Sequence, residues 1–122
     1  MFANYNYENF PEVRVIFNGS INHEMDFTLF IEQWKKLYED KLEFNFLFDM
    51  KNIGLVNPIY SYKMASFISE LKKQPVQYLT RSKIINVNSI MKYLLSIVFN
   101  IQKPVAPVEV ICNDGSVTIF NP

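Results

Sequence analysis

The chain alternates between short segments typical of β-strands and longer segments with helical periodicity. The strand-type segments are rich in branched and aromatic apolar residues, and they are Glu12–Phe17, Phe44–Phe48, Lys83–Val87 and Val108–Cys112. Each intervening segment places apolar residues three and four positions apart, as a helix with one buried face requires. Because a helix between two strands carries the chain back across the sheet, consecutive strands of this kind lie parallel.

This alternation predicts an α/β domain with a mixed or mainly parallel sheet of four to five strands and three helices. The fifth strand is Val117–Phe120, which follows the turn residues Asp114-Gly115 and favours a hairpin strand over a helix. The segment Phe2–Phe10 is a further candidate for an edge strand. A length of 122 residues fits a single domain over residues 1–122.

Residues with known capping preferences mark the helix boundaries. Asn is a favoured N-cap and Pro is favoured at the first helical position, so Asn57-Pro58 marks a helix start. The three helices are predicted to run from Asp26 to about Asp40, from Asn57 to before Pro75, and from Asn88 or Ser89 to about Ile101. The nearly all-apolar strand Phe44–Phe48, closed by Asp49, is predicted to be central and covered on both faces.

Composition excludes several classes of function. The sequence has 12 Lys and Arg against 12 Asp and Glu, so it lacks the net positive charge that nucleic acids and anionic membranes attract. One Cys and one His cannot form an internal disulfide or a structural zinc site, and no nucleotide-binding, redox or hydrolase motif is present. We therefore expect no metal, no cofactor, no nucleic-acid partner and no enzymatic activity, with His23 a solvated loop residue and Cys112 a small buried one.

Targeting and membrane signals are also missing from the sequence pattern. The segment Met1–Phe10 carries Asn, Tyr and Glu instead of a basic region followed by an apolar one. No apolar run approaches the roughly 18–20 residues that span a bilayer. We expect a cytoplasmic protein with no transmembrane segment.

The third predicted helix is apolar around most of its circumference. Its polar exceptions Lys92, Ser96 and Asn100 lie on one narrow line, whereas a surface helix needs an apolar arc of only about 100°. We predict that its apolar flanks form an interface with a protein partner or a second copy, and the interface candidates are Met91, Leu95 and Phe99. The alternative is that the N-terminal segment or the C-terminal tail covers them.

Three consecutive pieces of sequence carry a resemblance to a known family. They are the apolar strand Phe46-Leu47-Phe48-Asp49, the loop Met50–Val56 and the helix start Asn57-Pro58-Ile59-Tyr60-Ser61. Together with the order of elements over Glu12–Cys112, they resemble the STAS domain, the fold of bacterial anti-sigma-factor antagonists. The resemblance implies a non-enzymatic regulatory module that binds other proteins and is controlled by phosphorylation of a hydroxyl near this helix start.

The resemblance also suggests where such a module would act. Pro58 and Ile59 stand where the family carries the phosphorylated hydroxyl, which leaves Ser61 as the candidate phospho-acceptor. A phosphate at a helix N-terminus is stabilised by unpaired N–H groups and changes the surface locally. The candidate partner-binding residues of this loop are Asp49, Ile53, Leu55, Val56, Asn57 and Tyr60.

Two other readings of the sequence remain open. In the first, the chain is a small-ligand or lipid-binding α/β domain, and its aromatic residues surround a cavity instead of forming a solid core. The residues expected around that cavity are Phe44, Phe46, Phe48 and Phe67. In the second, which we rank last, a sparse active site is built from Asp49 and His23.

Overall fold

The computed structural model describes residues 1–122. The strands are β1 (Ala3–Asn6), β2 (Glu12–Gly19), β3 (Phe44–Ile53), β4 (Leu79–Val87), β5 (Val108–Cys112) and β6 (Val117–Phe120), and the helices are α1 (Glu24–Glu39), α2 (Ile59–Leu71) and α3 (Ser89–Ile101). None of these helices has both the length and the apolar character needed to cross a membrane.

All six strands form one mixed sheet in which they follow one another in sequence order. Strands β2 to β5 are parallel, and β1 and β6 are antiparallel at the two edges. The α/β class and the three helices are thus confirmed. The sheet has six strands instead of four to five, because both the N-terminal segment and the C-terminal tail add an edge strand.

The three helices cover one face of the sheet and leave the other bare. When sequential parallel strands are neighbours, right-handed crossovers place every connecting helix on the same side. The aromatic contacts agree: the ring centroids of Trp34 in α1 and Phe48 in β3 are 5.9 Å apart. Those of Phe67 in α2 and Trp34 are 5.2 Å apart, and those of Phe99 in α3 and Phe120 in β6 are 4.8 Å apart. The core therefore lies between one helical layer and one sheet face.

Strand β3 corrects two of the expectations from the sequence. It does not end at Asp49 but continues to Ile53, with Phe48 and Met50 buried under the helices and Asp49 and Lys51 on the opposite face. It is also not covered on both faces, since only alternate residues are buried. The polar residues that suggested a strand end are tolerated because they point away from the helical layer.

Hydrogen bonds to asparagine side chains mark the starts of α2 and α3. The Asn88 side chain accepts a hydrogen bond of 2.8 Å from the backbone N–H of Met91, as expected for the N-cap of α3. The Asn57 side chain accepts one of 3.0 Å from the N–H of Ile59 at the start of α2. Asp26 is not the cap of α1, which begins two residues earlier at Glu24; its carboxylate instead accepts from the backbone N–H groups that precede the helix.

The buried apolar residues divide into two clusters. The larger cluster joins the helix-covered sheet face to α1 and parts of α2 and α3. The smaller contains Ala65 and Ile68 from α2 and Val98 from α3. The contact between α2 and α3 is thus partly separated from the sheet beneath it.

Candidate functional site

A cavity of about 130 Å³ lies between the sheet and the helical layer, and all three helices contribute to its lining. Of the 26 residues that line it, 23 are hydrophobic and the other three are Ser61, Ser82 and Pro104. The lining includes Ile84 from the larger buried cluster and Val98 from the smaller one. Protein interiors seldom contain voids larger than a water molecule, which makes this cavity the strongest candidate for a binding site.

The wall of the cavity contains no charged side chain and few polar groups. Trp34 is only 5% exposed, and its indole Nε1–H has no hydrogen-bond partner within the protein. Ser82 is buried in the same wall. Since nearly all buried polar groups in proteins are hydrogen-bonded, the Trp34 donor is an exception that calls for an explanation.

Part of the lining comes to the surface at the carboxyl ends of the parallel strands, where α/β proteins commonly bind ligands. We call this set the carboxyl-edge rim, and its half-buried members are Ile21, Phe27, Ile53, Val56, Tyr60 and Met64. The loops that carry the rim are held together by a 2.7 Å hydrogen bond from the N–H of Gly54 to the carbonyl of Gly19. Gly54 permits this approach, because a Cβ at that position would lie 2.4 Å from the Ser20 Oγ.

The first turns of α1 and α2 meet above this rim. The ring centroids of Phe27 and Tyr60 are 5.3 Å apart, and the Lys63 Nζ lies 5.3 Å from the centroid of the Tyr60 ring. Lys63 also donates a hydrogen bond to the exposed Glu24 carboxylate, which lowers the pKa of Glu24. The charged groups of the region therefore stay outside the apolar wall.

The sequence-predicted residues of the β3–α2 loop do not act as one group. Ile53, Val56 and Tyr60 line the cavity. Leu55 does not line it and is 74% exposed, and Asn57 is exposed and serves as the cap of α2.

Asp49, predicted to belong with this loop, lies instead on the bare face of the sheet. Burial by itself raises the pKa of this carboxyl, but hydrogen bonds from Asn86, from the backbone N–H of Lys51 and from Arg14 outweigh that effect and lower it. The Asn86 and Arg14 bonds measure 2.9 and 3.1 Å. Asp49 therefore ties three parallel strands together and takes no part in the loop.

The candidate phospho-acceptor Ser61 is buried. It is 5% exposed, and its hydroxyl donates a hydrogen bond of 3.1 Å to the carbonyl of Leu94. This bond joins α2 to α3 inside the protein. A kinase has no access to the hydroxyl unless the two helices separate, so the geometry argues against phosphorylation as its role.

The interface candidates on α3 also face inwards. Met91 is 7% exposed and does not offer a surface to a partner, which corrects its assignment as an interface residue. Leu95 and Phe99 are half-buried, and all three line the cavity. The C-terminal tail covers Phe99 through Phe120, as one alternative from the sequence anticipated. The exposed apolar residues of α3 are Ile90, Tyr93 and Ile101.

Of the four phenylalanines that the sequence places around a cavity, only one lines it. Phe48 lines the cavity, whereas Phe44, Phe46 and Phe67 belong to the packed core elsewhere. Sequence reasoning missed Trp34 and Ser82 as site residues. Ser82 carried a usable signal, since it is a polar residue at an inward-facing position of β4, where the pattern otherwise demands an apolar side chain.

The residue types that commonly ligate metals or carry out catalysis are scattered over the structure. No set of three or more His, Cys, Asp or Glu side chains is placed to hold a metal ion. His23 precedes α1 as an exposed residue, and Asp49 lies within the sheet, so the two do not share a loop. Cys112 is a free, buried cysteine. What the arrangement can do chemically is enclose an uncharged apolar molecule.

Comparisons of the chain with models of known protein families, with curated proteins and with solved structures found no match.

Proposed function

We propose that this domain is a non-enzymatic binding module that holds a small, uncharged and largely apolar molecule between its sheet and its helical layer. The observation that carries the proposal is the cavity of about 130 Å³ with 23 hydrophobic residues among its 26 lining residues. An apolar cavity of about 150 Å³ is known to bind benzene, which sets the scale of the group that fits inside.

The lost packing around an unfilled cavity supports this reading. Apolar side chains that line empty space lack contact partners on one side and forfeit the attraction those partners would supply. A ligand that fills the cavity restores much of the lost contact energy, so a native ligand would account for the persistence of the void.

The wall also restricts the chemistry of the ligand. With no charged residue in the lining, an ion inside the cavity would lose its hydration without compensation. The proposed class is therefore a neutral apolar molecule, and an anionic group would have to remain outside.

Nuclear magnetic resonance offers a direct test, because Trp34 is the only tryptophan and gives one indole N–H signal. We expect toluene and benzaldehyde to shift this signal in a saturable manner, because Trp34 lines the cavity, and benzoate to leave it unchanged. Ala106 lines the cavity, so Ala106→Leu should abolish both shifts. The matched control Val76→Leu enlarges a residue that is 53% exposed and should bind as the native protein does.

The outcomes separate the proposal from its alternatives. Saturable shifts that Ala106→Leu removes and Val76→Leu preserves would support it. Absence of a shift with every probe would contradict it. Equal responses to benzoate and benzaldehyde, or shifts that persist in Ala106→Leu, would show that the probes bind somewhere other than this cavity.

A second candidate is the protein-interaction module that the resemblance to STAS domains implies. It is favoured by one observation, the exposure of Ile90, Tyr93 and Ile101 on α3 at 52%, 65% and 53%. Large exposed apolar patches mark protein-binding sites. If this surface binds a protein or a second copy, Tyr93→Glu should abolish capture of that protein or the self-association, without affecting the binding of neutral ligands.

A further inference from the structure

The bare face of the sheet is unusual for this topology. Sheets of parallel strands are almost always covered on both faces, yet all three helices lie on one side of β2–β5. On the other side, register aligns Arg14, Leu47, Lys83 and Glu109 across the four parallel strands and continues to Ile119 in β6. None of these residues is buried. The face is therefore open to a partner.

The bare face carries apolar side chains among its charged ones. Its members are Ile16, Leu47, Ile85, Ile111, Val117 and Ile119. The first four are half-buried, and Val117 and Ile119 are 54% and 60% exposed. Further burial of such side chains against a partner favours association.

Charges on the face are placed for pairing with another molecule. Arg14 and Asp49 already pair within the chain at 3.1 Å. Lys83 and Glu109 are neighbours in the β4–β5 register, but neither takes part in an ion pair of the chain. One unpaired positive charge thus lies beside one unpaired negative charge.

We propose that two copies of this chain associate through their bare sheet faces. A twofold axis parallel to the strands, between β4 and β5, would lay β4 of one copy over β5 of the other. Residues that are register partners within a chain then face each other between chains, so Lys83 of each copy meets Glu109 of the other. Such reciprocal contacts are the property of a twofold interface.

The same axis matches apolar residues. Ile85 and Ile111 follow the charged pair on β4 and β5, and they would stack between the two copies. Leu47 on β3 would lie over Ile119 on β6, because each is one strand further from the axis. Two sheets packed in this way lie about 10 Å apart with their strands within about 30°.

The overlap of the two faces is small. With the axis between β4 and β5, only β3 to β6 of each copy lie over the partner, and four strands at about 4.8 Å spacing give a width of about 14 Å. With strands at most about 20 Å long, the flat overlap is about 300 Å², below the about 800 Å² that each partner buries in a stable complex, so we expect the dimer to form at high protein concentration. This interface is independent of the cavity, which lies on the opposite side of the sheet.

Sedimentation velocity of the full chain over a range of concentrations tests the proposal. The native protein should dimerise as its concentration rises, and Lys83→Glu should raise the dissociation constant at least about tenfold, because like charges then face each other. The double variant Lys83→Glu, Glu109→Lys should restore the dimer. Tyr93→Glu places a similar charge on α3, where the residue is 65% exposed, and should leave the dimer intact.

Each other result overturns the proposal. A native protein that stays monomeric at every concentration has no such interface. A dimer that Lys83→Glu leaves unchanged, or that Tyr93→Glu dissociates, is formed elsewhere on the surface. If Lys83→Glu weakens the dimer and the double variant does not restore it, the proposed pairing of the two residues is wrong. Circular dichroism verifies that each variant is folded.

Discussion

Replacement of Ala106 by leucine should stabilise this protein, although enlarging a buried residue normally destabilises one. Ala106 is 5% exposed and lines the cavity, so the added side chain has space to enter. Three more buried carbon atoms contribute about 2.4 kcal/mol at about 0.8 kcal/mol each. Loss of leucine rotamer freedom removes about 0.5–1 kcal/mol of this, and the net gain is about 1.5 kcal/mol.

Urea denaturation followed by circular dichroism measures this change in the free energy of unfolding. A gain of about 1.5 kcal/mol corresponds to a rise in Tm of about 6 °C for a domain of this size. Val76→Leu is the matched control, because it adds volume where the side chain is 53% exposed, and its stability should be close to native. If Ala106→Leu is instead destabilised by 1 kcal/mol or more, as overpacking of about one methylene group or more would cause, the space is not there and the reasoning fails.

Three further substitutions test other parts of the structure. Asp49→Asn should lower the free energy of unfolding by about 1–3 kcal/mol at neutral pH, since it weakens charge-assisted hydrogen bonds. Folding lowers the Asp49 pKa. The ionised carboxylate therefore contributes its full stabilisation above the unfolded-state pKa of about 3.9, and this stabilisation is lost as the pH falls through the folded-state pKa. In a pH series, the free energy of unfolding should therefore decline less with acidification in the variant than in the native protein. Asn88→Ala should lower stability by about 1 kcal/mol through loss of the α3 cap, whereas the neighbouring Ser89→Ala should be nearly neutral, and equal effects would contradict the capping role. Gly54→Ala should lower Tm and be rescued only in part by Ser20→Ala, because backbone atoms also lie 3.0 and 3.1 Å from the added Cβ; an unchanged Tm would show that the loops do not approach so closely.

Local sequence signals were enough to locate several elements. Val108–Cys112 was predicted with the bounds that the structure gives, and α3 begins after Asn88 and ends at Ile101 as expected. In these segments, the alternation of apolar residues and the cap agree with the tertiary environment. Strand β3 shows the limit of such signals, because Asp49 and Lys51 indicate a strand end only if both faces of the sheet are covered.

The candidate site consists of residues that are far apart in the sequence, and no local sequence pattern indicates which of them lie close together in space. Ile53, Val56 and Tyr60 were assigned to a loop surface and Leu95 and Phe99 to a separate helix surface. The structure places all five around one cavity, because the right-handed crossovers bring the β3–α2 loop and α3 to the same face of the sheet. Whether side chains that meet in this way fill the space between them depends on packing, which a sequence pattern does not specify.

The binding of xenon in a crystal tests the central claim most directly, because xenon enters apolar cavities without needing a specific chemical group. The account predicts one well-defined xenon site in crystals held under the gas, in contact with lining residues such as Ile84, Leu94 and Val98. The same site should be empty of xenon in Ala106→Leu. A solid core between the sheet and the helical layer, with no xenon in the native protein, would contradict the account.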